Sequence, residues 1–265
     1  MNKDLTLEDK LNFERDGYLV IKVLSDETCE LINQEIQEKL ASDSEDIKKN
    51  PSIYHYNENP RVIEAWRWSS TIKKVALDEY ILSMLRGLWS AEPIPFSTIN
   101  FIKGTEQPLH SDYFHFGSKP ELFLAGVWIA LENLVPGSGE LSVVPGSHHY
   151  PIVDCGDLGL EFPKSKKELK INNSAYEEYV QKEVLRRSGE IKKLLLKQGE
   201  AVIWAANLLH GGSVITNKEA TRKALVMHYH FEGCEFFYNP NFSKKTIGKY
   251  AIRKLNESDI RGNHS

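Results

Sequence analysis

Hydrophobic spacing gives the two halves of the chain different textures. In residues 7–16, Leu7, Leu11 and Phe13 form the apolar side of an expected helix that Gly17 ends. YLVIKV follows as a short buried strand. From Ser25, the run SDETCELINQEIQEKL sets Cys29, Ile32, Ile36 and Leu40 on one helical face behind a serine cap. Residues 41–60 are polar, carry two prolines and read as a loop. Residues 61–90 read as helix, ending before Glu92-Pro93-Ile94-Pro95. Past Pro95 the runs shorten and become β-rich: FSTINFIKG, PLHSDYFHF, LFLAGVWIALENL, GELSVVPGSHH, GEAVIWAANLLHGG and TRKALVMHYHFEG. Gly, Pro and Asn punctuate them, which predicts a mainly β sandwich or barrel with helices on its flank. Residues 161–198 interrupt the series. They are rich in Lys and Glu, with Tyr176, Tyr179, Val180 and Val184 at helical spacing, and predict a helical insertion over one rim. The tail 241–265 is polar and reads as loosely held.

Composition narrows the class. Among 265 residues, 41% are hydrophobic, and 33 basic residues nearly balance 37 acidic ones. Such a chain buries enough surface to fold without staples, so disordered and disulfide-scaffold readings fall away. Cys29, Cys155 and Cys234 are odd in number and form no CxxC pair, which removes zinc-ribbon and thioredoxin readings. Without a basic excess there is little to neutralise phosphates, so no nucleic-acid partner is expected. Leu122 to Leu131, the most apolar stretch, is about half the length a membrane span needs. No membrane insertion is expected, and with a polar N-terminus the expected compartment is the cytoplasm.

The chemistry concentrates in His110-Ser111-Asp112. On an extended segment, residues i and i+2 share a face, so an imidazole and a carboxylate are presented side by side. His210 ends another β-run before Gly211 and Gly212. Two histidines and one carboxylate leave coordination positions open, which is the donor set of non-haem Fe(II) oxygenases. A hairpin folded near Thr216 would bring His210 opposite Arg222. An arginine pointing into a barrel needs an anion, and its guanidinium binds carboxylates through two parallel hydrogen bonds. A metal with an inward arginine one short dicarboxylate away describes a site for 2-oxoglutarate.

With these residues in order, the chain resembles the phytanoyl-CoA dioxygenase family of Fe(II)/2-oxoglutarate-dependent oxygenases. The resemblance rests on FERDGYLVIKVLSDE, HSD, GVWIALENLVPGSGELSVVPGSHH, GEAVIWAANLLHGG and the Arg222 strand, and it is weak across 41–95, 150–198 and the tail. It implies a double-stranded β-helix, or cupin-like jelly roll. His110, Asp112 and His210 would hold iron, Arg222 would bind the distal carboxylate of 2-oxoglutarate, and Trp128 would line the cosubstrate pocket. O2 would be the oxidant, with succinate and CO2 released. The family often has Gln where Ser111 stands, and its upstream basic cosubstrate contact has no evident counterpart. Thr98, Asn100 and Gln107 are the polar candidates nearby, and Asn100 is taken as the contact. Related halogenases replace the carboxylate, so Asp112 favours hydroxylation of a small molecule.

The expected organisation is one domain over 1–265: a helical layer over 1–95, a jelly-roll core over 96–240 with the rim insertion, and the tail. His228 and His230 share strand parity with Arg222 and could line the cavity. His148 and His149 follow a PGS turn and read as structural. Phe114 and Phe116 share parity with the metal motif and could form a cavity wall or pack in the core. Trp66, Arg67 and Trp68 could meet the substrate mouth. Two rival functions stand: a cupin-like metal enzyme that uses no 2-oxoglutarate, as isomerase or hydrolase, and a non-catalytic binding module.

Overall fold

A computed structural model describes residues 4–42, 53–56, 59–161 and 163–238. In chain order the elements are α1 (Leu7–Asp16), β1 (Tyr18–Lys22), α2 (Asp26–Ser42), β2 (Ile53–Tyr56), β3 (Asn59–Ile63), α3 (Ser70–Ala76), α4 (Glu79–Trp89), β4 (Pro93–Phe101), β5 (Phe116–Lys119), β6 (Leu124–Ala130) and β7 (Leu141–Val143). They continue as α5 (Lys166–Arg186), β8 (Lys192–Leu194), β9 (Glu200–Ala205), β10 (His210–Gly212), β11 (Ala224–Phe231) and β12 (Glu235–Tyr238). The tail 241–265 lies outside the described residues.

Seven antiparallel strands form the large sheet in the order β1-β9-β6-β11-β4-β3-β2. A second sheet, β10-β7-β8, packs against it, and β5 pairs with β12. This is the mainly β, cupin-like jelly roll. Alternation along the central strands explains both faces of the large sheet. Val127 and Ile129 of β6, with Leu225, Met227 and Tyr229 of β11, join Ile32, Ile72, Ile81 and Leu85 of the helices in one core. The intervening residues, Trp128 and Val226 among them, meet Leu141, Val143 and Leu194 of the small sheet in a second core. Strand β6 is buried along its whole length, which is why its sequence reads as a continuous apolar run.

The N-terminal layer departs from the expected pattern in three places. Strand β2 occupies part of the expected loop 41–60, and β3 opens the expected helix 61–90. The rest of that stretch is a short 3-10 turn (Ala65–Arg67) and two helices, each begun by its own cap. Ser69 Oγ accepts from Ile72 N, and Asp78 Oδ1 from Tyr80 N and Ile81 N. In α1, Leu7 and Leu11 are 73% and 61% exposed. Phe13 instead packs edge-on against Trp89, with 5.2 Å between ring centroids. The cap of α2 is as expected: Ser25 Oγ accepts from Thr28 N at 3.2 Å.

The segment between His210 and Arg222 is not a hairpin. β10 pairs with β7 in the small sheet, and Arg222 N donates to Ile102 O as the chain enters the large sheet. The two side chains still face one cavity, because the chain crosses between sheets that pack face to face. Helix α5 is the expected insertion. It is docked through Tyr176, Val180 and Val184, all buried.

Candidate active site

The site begins with a backbone clasp. His110 N donates to His210 O and His210 N to His110 O, both at 2.9 Å. Residues opposed in such a pair project to one face, so positions far apart in sequence present their rings together, 4.5 Å between centroids. Glycine must follow His210. A Cβ at 211 would lie 2.6 Å from Gln107 O, and one at 212 would lie 2.9 Å from Glu106 N.

Backbone carbonyls fix the imidazole tautomers. Pro108 O and Leu208 O can only accept, so Nδ1 of His110 (2.9 Å) and of His210 (3.0 Å) carries the proton. Both Nε2 lone pairs are then available to a metal. At His110 that lone pair accepts from Gln107 Nε2 at 3.2 Å. Asp112 reaches the same space because Ser111 is extended (φ −100°, ψ 136°) before a 3-10 turn, Asp112–Phe114. The Ser111 hydroxyl accepts from Tyr113 N and donates to Ala206 O, while its N–H donates to the Tyr176 hydroxyl. Ser111 thus anchors the motif, and Tyr176 stacks on Phe114 with 3.6 Å between centroids.

The ligand-capable atoms of His110, Asp112 and His210 all lie within 4.8 Å of one another. Asp112 Oδ1 is 3.6 Å from His210 Nε2. Asp112 Oδ2 accepts from Trp204 Nε1 at 2.7 Å and stands 3.6 Å from His228 Nε2. Burial alone would raise the Asp112 pKa. The imidazoles of His210, His228 and His110 and the indole N–H outweigh it and hold the carboxyl at about 2. Burial, with His210 and His115 nearby, keeps His110 well below the usual imidazole range. An ionised carboxylate and a His110 imidazole kept neutral by burial are in the states that bind a divalent metal. The donor set and fixed tautomers fit ferrous iron.

Beside the triad lies a cavity of about 380 Å³, large enough for a small ligand. Arg222 is 3% exposed and lies over the rings of Phe101 (5.2 Å) and Trp128 (5.4 Å). Its Nη2 reaches Lys103 O at 3.5 Å, and its Nε is buried with no hydrogen-bond partner. Burial and the nearby Arg61 push its pKa down to about 10. A buried guanidinium with an unused donor fits a carboxylate ligand. Trp128 lines the cavity. Asn100 does not. It is on the opposite face of β4, beside Asn33, Ile36 and Gln37 of α2, while Ile99 and Phe101 face the cavity. Thr98 shares that outer face, and its hydroxyl accepts from Trp66 N. Of the three polar candidates, Gln107 alone lines the cavity.

His115, Phe116 and His228 also line it, whereas His230 packs against Phe96 and Phe236. Phe114 packs under α5 instead. His148 and His149 both donate from Nε2 to Glu14 O, tying the PGSHH turn to α1. Trp66 and Trp68 lie outside the cavity. Several cavity residues carried no signal in the sequence, Ile99, Phe101, Thr105, Leu141 and Val226 among them, and two more bear on the chemistry. Arg61 on β3 donates from Nη2 to Gln107 Oε1 and lies 5.2 Å from the Phe101 ring, the same ring Arg222 covers. The other is Trp204, in GEAVIWAANLLHGG, which no spacing in the sequence singled out.

Fold and site together define an oxygenase of the Fe(II)/2-oxoglutarate-dependent class. A family model described as Phytanoyl-CoA dioxygenase (PhyH) matches residues 13–224, and the chain belongs to that family. The peroxisomal phytanoyl-CoA dioxygenase of Rattus norvegicus is 21% identical over 95% of this chain and 76% of its own length. The ectoine dioxygenase of Nocardia farcinica is 24% identical over 78% of this chain and 72% of its own. Among solved structures, the non-heme alpha ketoglutarate dependent carbocyclase SnoK from nogalamycin biosynthesis aligns with a TM-score of 0.71 at 19% identity, covering 97% of this chain and 95% of that one. EctD from S. alaskensis, solved with 2-oxoglutarate and 5-hydroxyectoine, aligns with a TM-score of 0.70 at 19% identity, covering 98% and 88%. Among the described residues no helix is long and apolar enough to cross a membrane.

Proposed function

We propose that this chain hydroxylates a compact small molecule, with His110, Asp112 and His210 as its iron ligands and Arg222 as the anchor of 2-oxoglutarate. The carrying observation is the shared cavity: His110, Asp112 and His210 bring three ligand atoms together on it, and Arg222, a buried guanidinium whose Nε has no partner, lines the same space. A metal enzyme that uses no 2-oxoglutarate leaves that donor unexplained, and a vestigial binding module would be expected to lack a ligand. Bound iron with 2-oxoglutarate and O2 supplies oxidation of a substrate C–H bond, with succinate and CO2 as coproducts.

The chain's residues divide the remaining work. Arg222, stacked on Phe101 and Trp128, holds the distal carboxylate. Arg61, on the other side of Phe101, is the basic residue that the sequence left unassigned. Gln107, held by Arg61 through its Oε1, lines the cavity beside His110, and its amide is freed for a bound ligand once the His110 Nε2 lone pair goes to a metal. Phe116, Val226 and Leu141 supply an apolar wall that excludes water from the reacting centre. Asp112 occupies the position where a halogenase would need space for halide, which supports hydroxylation. The single-domain organisation and the cytoplasmic setting expected from the sequence remain part of this reading.

The test is anaerobic addition of Fe(II) and 2-oxoglutarate to the metal-free protein. A weak visible charge-transfer band is expected, absent from His210→Ala. Iron-loaded protein that gives no band with 2-oxoglutarate, and no succinate in air with any substrate pool, would sink the proposal.

A further inference from the structure

One side chain outside the triad touches two of its members. Trp204 is 2% exposed on β9, directly opposite Gly126 of β6. A Cβ at 126 would overlap the Trp204 indole, so only glycine leaves that ring its place. From there the indole Nε1 donates to Asp112 Oδ2 at 2.7 Å. The ring also lies against His210, with 4.4 Å between centroids and 33° between planes. The carboxylate's two oxygens are therefore unequal. Oδ2 is committed to the indole, and Oδ1 is left on the side of His210 Nε2.

We infer that Trp204 is a positioning residue that makes Asp112 a one-oxygen ligand and fixes the plane of the His210 ring. This rests on the iron site proposed above. An octahedral ion with three protein donors keeps three positions for a chelating cosubstrate and O2. A carboxylate free to rotate could bind through both oxygens and take one of them. The indole N–H prevents this by occupying Oδ2, and Gly126 is the backbone feature that admits the indole. Partners that orient a ligand in this way typically contribute 10–100-fold in metal affinity.

The experiment compares wild type with Trp204→Phe, which keeps an aromatic ring beside His210 and removes the N–H. Co(II) titrated into the metal-free proteins is the probe. The expected result is Co(II) binding weakened about 10–100-fold, with an altered Co(II) visible absorption spectrum and a near-native thermal midpoint. A merely structural role would move the midpoint and leave the spectrum alone. Wild-type affinity and spectrum in Trp204→Phe overturn the inference. A second measurement needs no substitution at 204. In 15N-indole spectra of the five tryptophans, Asp112→Ala should shift one resonance strongly and expose it to solvent exchange. If no indole resonance moves, the inference fails even where Trp204→Phe does not fold. Failure of wild type to bind any divalent metal would overturn the iron site itself and this inference with it, a result distinct from a metal-binding wild type with an indifferent Trp204→Phe.

Discussion

Arg222 and Arg61 show how differently two residues of one type can be read. Arg222 was legible from its place soon after His210 and from the family resemblance, although the hairpin expected to bring the two together is not formed. Arg61 was not, because its place depends on β3 pairing with Phe101 of β4, a contact that no local pattern encodes. Asn100 was misplaced by parity. In Thr98-Ile99-Asn100-Phe101 the polar residues face the helices and the apolar ones face the cavity, the reverse of what a polar binding site suggests. The roles of the arginines can be separated. Arg222→Ala should raise the KM for 2-oxoglutarate by roughly 100-fold, the ~3 kcal/mol upper range of a charge-assisted hydrogen bond, while Co(II) affinity stays near wild type. Arg222→Lys should restore little, because an ammonium lacks the planar fork. Steady-state kinetics with varied 2-oxoglutarate, alongside a Co(II) titration, decides both.

At the scale of elements, the strands past Pro95 were legible because turn residues bound them and their apolar content is unambiguous. The layer before Pro95 was not. Its apolar residues keep a roughly helical spacing across β3, the 3-10 turn, α3 and α4, so the boundaries are set by Ser69 and Asp78 as caps rather than by periodicity. Helix α5 was placed correctly in sequence and undervalued in role. Its lysines and glutamates marked it only as a rim insertion, yet Tyr176 accepts the N–H of Ser111, one residue from Asp112. Tyr176→Phe leaves that buried N–H unsatisfied. It should destabilise the protein by about 1–3 kcal/mol, read as a lower urea midpoint with an unchanged slope. An unchanged midpoint would show that α5 packs without supporting the motif.

For the whole molecule, the buried histidines set a response to acid. Burial lowers His115 and His230 to about 4, and His110 and His228 shift the same way. Unfolded, each would titrate near 6.5. Between these values the unfolded chain binds more protons than the folded one, so stability rises with pH across the window. The contribution is complete above about 6.5 and is lost as pH falls towards 4. Asp112, held at about 2, extends the loss with the same sign below the usual carboxylate range. Urea midpoints of metal-free protein should therefore fall steadily from pH 7 to pH 4.5. A flat profile would mean that these imidazoles are solvated or charged in the folded state.

The clasp between His110 and His210 has a consequence for when metal can act. An unfolded chain scatters its three ligands over about a hundred positions, and closing so long a loop is entropically unfavourable. Metal therefore has little to grip before the two sheets have met. It enters as a late ligand that stabilises the finished barrel by mass action, unlike the ion of a zinc finger, which organises the chain around itself. Chelation should leave an intact, less stable protein, and reloading should need no refolding.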